Sequence, residues 1–316
     1  MTDVLATAAD EYYGYYALNV VGSVKYNADV FDRIEIFDLG LSAHQRSLLE
    51  AVPGVVVREV PAFSPHWAQC FTWKPWAWMQ IDADRVFWLD AGATVLRSLS
   101  AALEQIGDLG YFLVSQGNEL RDIVPPDYFA EYALPEQFAE RPYVAAGILG
   151  FRPGGEFFRN VLVPTYEDCL SGRNLGFSPD DVVWKNRGFG RMDTPPIRNC
   201  RHFRWDQTLL NIHLARTLPD ATVAAQDEYA GLRSPHEHPN QVIWAHRRRG
   251  SMRYLKRIPY ATGRWRRRAW GAWWQLIWWR KLNERLFERT TYVLKARVLR
   301  AEMRARLQGL RRSRPM

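Results

Sequence analysis

Residues 85 to 95 read R-V-F-W-L-D-A-G-A-T-V. Val86 to Leu89 is a continuous apolar run of strand-forming residues, and it stops on Asp90. A run without alternation suits a strand covered on both faces, as in a parallel sheet flanked by helices. An acid at the carboxyl end of such a strand stands where open α/β sheets bind ligands. Gly92, two residues on, carries no side chain and lets a backbone or a phosphate approach closely. Asp and Gly are also ordinary turn formers, so the stretch by itself defines a strand and a turn.

The residues before it supply a context. Val4 to Thr7 reads as a first strand. From Tyr13 to about Lys25 the apolar residues Tyr16, Val20, Val21 and Val24 recur at helical spacing. Arg33 to Leu39, R-I-E-I-F-D-L, reads as a second strand, broken by Gly40, and Ser42 suits the N-cap of a helix through Ala51. Pro53-Gly54 turns the chain and Val55 to Val60 alternates like a third strand. Cys70 to Ile81 reads as a helix leading into the strand that ends at Asp90. The order β-α-β-α-β-α-β is that of a parallel sheet with crossover helices.

After Asp90 the pattern loosens. A short helix is expected over Ser98 to Ile106 and a strand over Tyr111 to Ser115. Residues 117 to 142 are polar and carry Pro125, Pro126 and Pro135. They read as a long loop with a helical turn or two, and long loops in compact domains are often functional. Val144 to Phe151, V-A-A-G-I-L-G-F, reads as a small-residue strand. A Pro153-Gly154-Gly155 turn and a helix to about Leu170 come next. Residues 171 to 201 read as surface loop, Asp206 to Leu214 as an amphipathic helix with an acid in its first turn. Gln241 to Ala245 is a last strand running into His246-Arg247-Arg248-Arg249.

The chain has 316 residues, of which 47% are hydrophobic and 14% aromatic, which excludes a mainly disordered protein. Its three cysteines, Cys70, Cys169 and Cys200, are scattered and lack C-x-x-C spacing, against a disulfide framework or a zinc site. The N-terminus lacks a basic, then apolar, leader, and no run approaches the ~18 apolar residues of a membrane span. The expectation is therefore a cytoplasmic chain. The net charge of +8 is unevenly placed: residues 264–316 hold sixteen Arg or Lys against Glu284, Glu288 and Glu302, leaving −5 for the rest. The basic character belongs to the C-terminal stretch.

Three segments gain meaning from their order. They are V-L-A-T-A-A-D-E-Y-Y with A-L-N-V-V-G-S-V-K, then F-T-W-K-P-W-A-W-M-Q-I-D-A-D-R-V-F-W-L-D-A-G, then W-D-Q-T-L-L-N. Together, over residues 4 to 250, they resemble the nucleotide-sugar glycosyltransferases of the GT-A fold, in particular the family 8-like glycogenin and lipopolysaccharide-galactosyltransferase group. The resemblance implies a Rossmann-like α/β fold whose mixed, mostly parallel sheet is flanked by helices. It further implies a nucleotide-sugar donor, UDP-linked in the first place, a glycan or lipid-linked acceptor, and retention of anomeric configuration.

It also implies roles for residues. Thr7, Asp10 and Tyr13 correspond to the region that holds the base, with Tyr12 an equal contender; the other reading is an aromatic helix face in the core. Lys74 falls where the family places a basic residue near the diphosphate, and could equally be a lysine with its head in solvent. Asp90 matches the first acid of the family's metal-binding D-x-D, but Gly92 replaces the second. A hard cation such as Mn²⁺ or Mg²⁺ wants several oxygen ligands. Asp90, His246 and phosphate oxygens could hold one, or Arg247 to Arg249 or Arg253 could supply the counter-charge instead. Asp206 and Gln207 match the family's Asp-Gln facing the donor sugar, with Asn211 one turn later; an acid there would stabilise an oxocarbenium-like transition state. Asp206 alone would also pass for a helix-capping acid. The small-residue strand lacks the family's Asn before Gly147, which leaves space for the sugar.

Residues 264–316 begin R-W-R-R-R-A-W-G-A-W-W-Q-L-I-W-W-R-K. Trp270, Trp273, Trp274, Ile277 and Trp278 recur at helical spacing between clusters of Arg and Lys. That composition suits an amphipathic helical tail on an anionic membrane surface; packing on the preceding domain and, third, nucleic acid are the alternatives. The expected organisation is a GT-A-like domain over 1–263 and this tail over 264–316. The expected activity is sugar transfer at the cytoplasmic membrane face, against a non-catalytic GT-A-like membrane- or nucleic-acid-binding module.

Overall fold

The computed structural model describes residues 1–28, 30–175, 203–225, 229–231 and 240–245. The chain divides into two units, Met1–Pro259 and Tyr260–Met316. The basic stretch 264–316, His246, Arg247 to Arg249 and Arg253 lie outside the described residues.

The first unit begins with the expected alternation: β1 (Asp3–Ala9), α1 (Gly14–Asn27), β2 (Arg33–Asp38), α2 (Ala43–Glu50), β3 (Val55–Glu59), α3 (Trp73–Met79) and β4 (Arg85–Leu89). It continues with β5 (Thr94–Val95), α4 (Ser100–Leu109), β6 (Tyr111–Glu119), α5 (Pro126–Glu131), β7 (Pro142–Phe151), α6 (Val163–Leu170), α7 (Asp206–Thr217), β8 (Ala230–Gly231) and β9 (Ile243–Trp244). The long polar segment after β6 is more ordered than its composition suggests. Besides α5 it forms 3₁₀ turns at Leu120–Asp122 and Glu136–Phe138, and its apolar residues make a cluster of their own with α7.

Six strands form the main sheet in the order β3-β2-β1-β4-β7-β6. The first four are parallel, and β7 runs antiparallel to both β4 and β6. This is a mixed α/β, Rossmann-like architecture. Val86, Phe87, Trp88 and Leu89 are all fully buried, which is why the strand carries no polar alternation. On one face, Val86 and Trp88 join Trp78 of α3, Leu149 and Phe151 of β7 and Leu210 of α7 in the core. On the other, the Phe87 ring lies 6.4 Å from that of Phe31 and 5.8 Å from that of Phe112. A small second sheet, β5-β9-β8, closes over the chain after β4.

Two local features fix the loop after β1 and the start of α3. α2 starts on a capping box: Ser42 Oγ accepts from the Gln45 amide at 3.3 Å, and Gln45 Oε1 accepts from the Ser42 amide at 3.1 Å. The Gln45 amide group then donates to Glu11 O at 2.8 Å, fastening the loop after β1. Gly14 makes room for this, since a Cβ there would stand 2.4 Å from Gln45 Cδ. The second feature shortens α3 relative to the expected Cys70–Ile81. Cys70 and Phe71 have φ of +47° and +59°, left-handed values that interrupt a right-handed helix, so the helix begins only at Trp73.

The order of the sheet creates a crevice. α1 carries the chain from β1 to β2 on one side, while β4 lies on the other side of β1. The carboxyl ends of β1 and β4 therefore flank a topological switch point, where open α/β sheets take their ligands. Among the described residues no helix is long and apolar enough to cross a membrane.

Candidate active site

A cavity of about 880 Å³ opens at that switch point. β1 and the residue after it contribute Ala8, Ala9 and Asp10, and the turn after β4 contributes Asp90 to Ala93. The strand β7 supplies Ala145 to Ile148, α3 supplies Trp73 and Lys74, and the start of α7 supplies Asp206 and Gln207. Tyr13 also lines it, whereas Tyr12 is half exposed and is absent from the lining. Thus Asp10, Tyr13, Lys74, Asp90, Gly147, Asp206 and Gln207, scattered over nearly 200 positions of sequence, are brought to one place. Thr7 is not among them: it is fully buried in the sheet, and its hydroxyl has no partner among the described residues.

The centre is an ammonium between two carboxylates. Lys74 Nζ lies 3.1 Å from Asp90 Oδ1, 3.2 Å from Asp90 Oδ2 and 3.6 Å from Asp206 Oδ2. Lys74 and Asp206 are 4% and 3% exposed, so the lysine is not one with its head in solvent. The rings of Phe71 and Trp73 stand 5.1 and 5.8 Å from Nζ and confine it further, a contact that favours a cation. At 3.6 Å the approach to Asp206 is a charge contact rather than a hydrogen bond, and Asp206 Oδ2 has no hydrogen-bond partner among the described residues. Burial pushes the Asp206 carboxyl up to about 6; Lys74 and the Gln207 amide pull it down, and the charge of Asp90 adds to the rise.

Asp90 is held from three sides. Its amide donates to Gly147 O at 2.8 Å, and its Oδ1 accepts from Trp88 Nε1 at 3.1 Å. Gly147 lies directly under the carboxylate: a Cβ at that position would be 2.5 Å from Asp90 Oδ2 and 3.0 Å from its Cγ. The space that this glycine leaves is filled by Asp90.

The strand β7 is held in turn by amide side chains from α7. Asn211 Oδ1 accepts from the Val144 amide at 2.7 Å, and Asn211 Nδ2 donates to Val144 O at 3.0 Å and to Gln207 O at 2.7 Å. Gln207 Nε2 donates to Val144 O at 2.8 Å. These bonds satisfy backbone groups of β7 beyond its pairing with β4, which ends at Leu89–Ile148. β7 pairs with β6 at Leu149–Leu113 and again at Val144–Ser115, five residues on one strand against two on the other. The intervening residues, Ala145 to Ile148 against Val114 alone, line the cavity, a use of a strand irregularity common beside functional sites.

Residues that the sequence did not single out complete the cavity. Arg204 stands exposed on its rim, and Ser115, Gln116 and Asn118 line its β6 side. Trp205 has φ +52° and ψ −116°, a conformation that costs a non-glycine residue roughly 1–3 kcal/mol and tends to occur at ligand sites. It sets the Trp205 ring 5.4 Å from that of Phe71, itself at positive φ. No sequence signal marks a left-handed Trp or Phe, and Arg204 belongs to no motif.

A divalent cation is the group that the D-x-D likeness implies, and the described residues do not fit one. Both oxygens of Asp90 are engaged by Lys74, an ammonium stands where a cation would chelate, and Gly92 offers no oxygen from a side chain. Among the described residues no group of three or more His, Cys, Asp or Glu could hold a metal ion.

No protein-family model matches the sequence, and no curated protein matches it at a significant level. Solved structures do. The galactosyltransferase LgtC in complex with donor and acceptor sugar analogues is 16% identical, with 82% of this chain and 84% of that one covered and a TM-score of 0.41. The bifunctional glycosyltransferase WbbM in its apo form is 13% identical over 82% of this chain and 45% of that one, with a TM-score of 0.46. Mouse xyloside xylosyltransferase 1, also apo, is 10% identical over 72% of this chain and 86% of that one, with a TM-score of 0.43. At such identities and TM-scores these likenesses assign no role to any residue of this chain.

Proposed function

We propose that the Met1–Pro259 unit is a glycosyltransferase that moves a sugar from a nucleotide-sugar donor, UDP-linked in the first instance, to a glycan or lipid-linked acceptor, with retention of anomeric configuration. The observation that carries this reading is the ammonium of Lys74 between Asp90 and Asp206 at the switch point of the sheet. Breaking an anomeric C–O bond leaves positive charge on the sugar and negative charge on the departing diphosphate. A buried carboxylate beside a buried ammonium answers both charges at once, in a setting where electrostatics act strongly. Asp206, ionised above a pH of about 6, faces the developing oxocarbenium ion. Asp10 and Tyr13, between β1 and α1, suit the base edge and its face, and the Tyr13 amide fixes the Asp10 carboxylate at 2.8 Å. Gln207, tied to Val144 O, presents a rigid edge to the sugar.

Purified protein should be screened against UDP-, GDP- and CDP-sugars for thermal stabilisation and for release of the free nucleotide. The expected result is stabilisation by one donor and slow release of its nucleotide, lost on Asp206→Asn. Stabilisation without turnover, equal in Asp206→Asn, would favour the non-catalytic binding module; no response to any donor would sink the reading. The basic, Trp-rich stretch 264–316 fits attachment to an anionic membrane surface, where a lipid-linked acceptor would be met. Full-length protein should co-sediment with anionic vesicles and a chain ending at Gly263 should not; equal binding by both refutes the attachment.

A further inference from the structure

We propose that the donor's diphosphate is held by the chain's own cations, Lys74 at the floor of the cavity and Arg204 at its rim, with no divalent ion chelated at Asp90. The inference rests on the reading of this cavity as a nucleotide-sugar site and concerns how that site neutralises its ligand.

The first ground is occupancy of the carboxylate. Lys74 Nζ straddles both oxygens of Asp90, at 3.1 and 3.2 Å, and Oδ1 also accepts from Trp88 Nε1. A divalent ion chelated there would meet a buried ammonium at close range, in a medium that screens the repulsion poorly. The ammonium has no easy retreat. It is walled by Phe71 and Trp73 and followed immediately by Pro75, and the strained pair Cys70 and Phe71 fixes the path of the chain before it.

The second ground is the ligand count. A hard cation takes about six oxygens, and the position two residues after Asp90 is Gly92. On the facing strand, a side chain at Gly147 would collide with Asp90 Oδ2 at 2.5 Å, so β7 offers no oxygen from that position.

The third ground is Arg204. Its backbone is fixed at both ends: the amide donates to Thr208 Oγ1 at 2.9 Å, and the carbonyl accepts from the Gln207 amide at 3.0 Å. Its side chain is exposed on the cavity rim, and among the described residues no carboxylate pairs with it. A guanidinium at the mouth and an ammonium at the floor give a diphosphate two cationic donors, the first through a planar fork, the second as a point charge that Asp90 and Asp206 already share.

The arrangement makes a prediction with opposite signs for the two chemistries. Lys74 shares its charge between Asp90 and Asp206. Neutralising Asp90 therefore frees charge for phosphate if the lysine is the counter-ion, and destroys the site if a metal is. Binding of UDP, GDP and CDP to full-length protein should be measured by calorimetry in EDTA and again with Mn²⁺ or Mg²⁺. The expected result is one nucleotide bound equally in both buffers, bound as tightly or more tightly by Asp90→Asn in EDTA, and weakened at least about tenfold by Arg204→Gln. Binding only with metal, and lost in Asp90→Asn, overturns the inference and leaves the transferase reading intact. Such a result would point to ligands outside the described residues, His246 first. Unchanged affinity in Arg204→Gln overturns the role of that residue in the wild-type background. No nucleotide bound in either buffer overturns both the inference and the reading that it rests on.

Discussion

Replacing Asp206 with Asn should stabilise the protein while it disables the site. A helix-capping acid would do the reverse, because losing charge at a helix N-terminus destabilises. In the folded chain the Asp206 carboxyl is raised by burial from its ordinary 3.8 to about 6, so between those values the folded state binds more protons than the unfolded one. Stability attributable to this group is therefore full below about pH 4 and lost as pH rises through about 6. Above that the ionised carboxylate destabilises the fold by about 3 kcal/mol. Asn has no such penalty, although its amide would face Lys74, and a net gain of about 1–3 kcal/mol is expected at pH 7.5. For a unit of this size that is roughly 3–10 °C in Tm. Urea and thermal denaturation of both proteins at pH 7.5 and pH 4.5 would measure it, and the gap should shrink at the lower pH, where the wild-type carboxyl is protonated. Sugar transfer should fall about 10²–10³-fold. An Asp206→Asn protein less stable than wild type at pH 7.5, or a difference independent of pH, would refute the reasoning.

Other changes probe the same geometry. Gly147→Ala places a Cβ 2.5 Å from Asp90 Oδ2 and 3.0 Å from its Cγ; the carboxylate must shift against Lys74 and Trp88, so the chain should fold with about 1–3 kcal/mol lost. Its nucleotide affinity should nonetheless change measurably, and unchanged calorimetric affinity would contradict the placement of Asp90. Asn211→Ala strands the buried Val144 amide and should cost about 2–3 kcal/mol in a urea titration, with transfer lost as Ala145 to Ile148 loosen; a loss below about 0.5 kcal/mol would count against the clamp. Ser42→Ala removes one arm of the capping box and should cost about 1 kcal/mol, with no change in affinity for nucleotide.

The parallel half of the fold is legible in the sequence because each of its signals is local. A continuous apolar run such as Val86 to Leu89, or a cap such as Ser42 with Gln45 three residues on, reports its own structure whatever the rest of the chain does. The start of α3 is not legible, since Cys70 and Phe71 carry no mark of left-handed backbone; only glycine or asparagine would signal it. The segment after β6 reads as loop because its short elements are stabilised by contact with α7, far along the chain. In the site, Asp90 stands out by ending a buried strand, but its contact with Lys74 and Asp206 can be approached only through a family likeness. No periodicity relates positions 74, 90 and 206. Gly147 suggests room for a sugar, and the room is taken by Asp90. Asn211 draws notice only as a neighbour of Asp206, though it makes three hydrogen bonds along the wall of the cavity.

The antiparallel pairing of β4 with β7 has a consequence for synthesis. Val86 to Leu89 is apolar on both faces, and the strand that covers its free edge, through Ile148 to Phe151, is made almost sixty residues later. At the usual elongation rate of roughly 5–20 residues per second, the growing chain carries that bare edge for several seconds. An exposed hydrophobic edge is a template for pairing with other chains. The step most vulnerable to aggregation should therefore fall between translation of Leu89 and of Phe151. Ribosome-bound chains arrested in that interval should bind holdase chaperones more strongly than chains arrested after it.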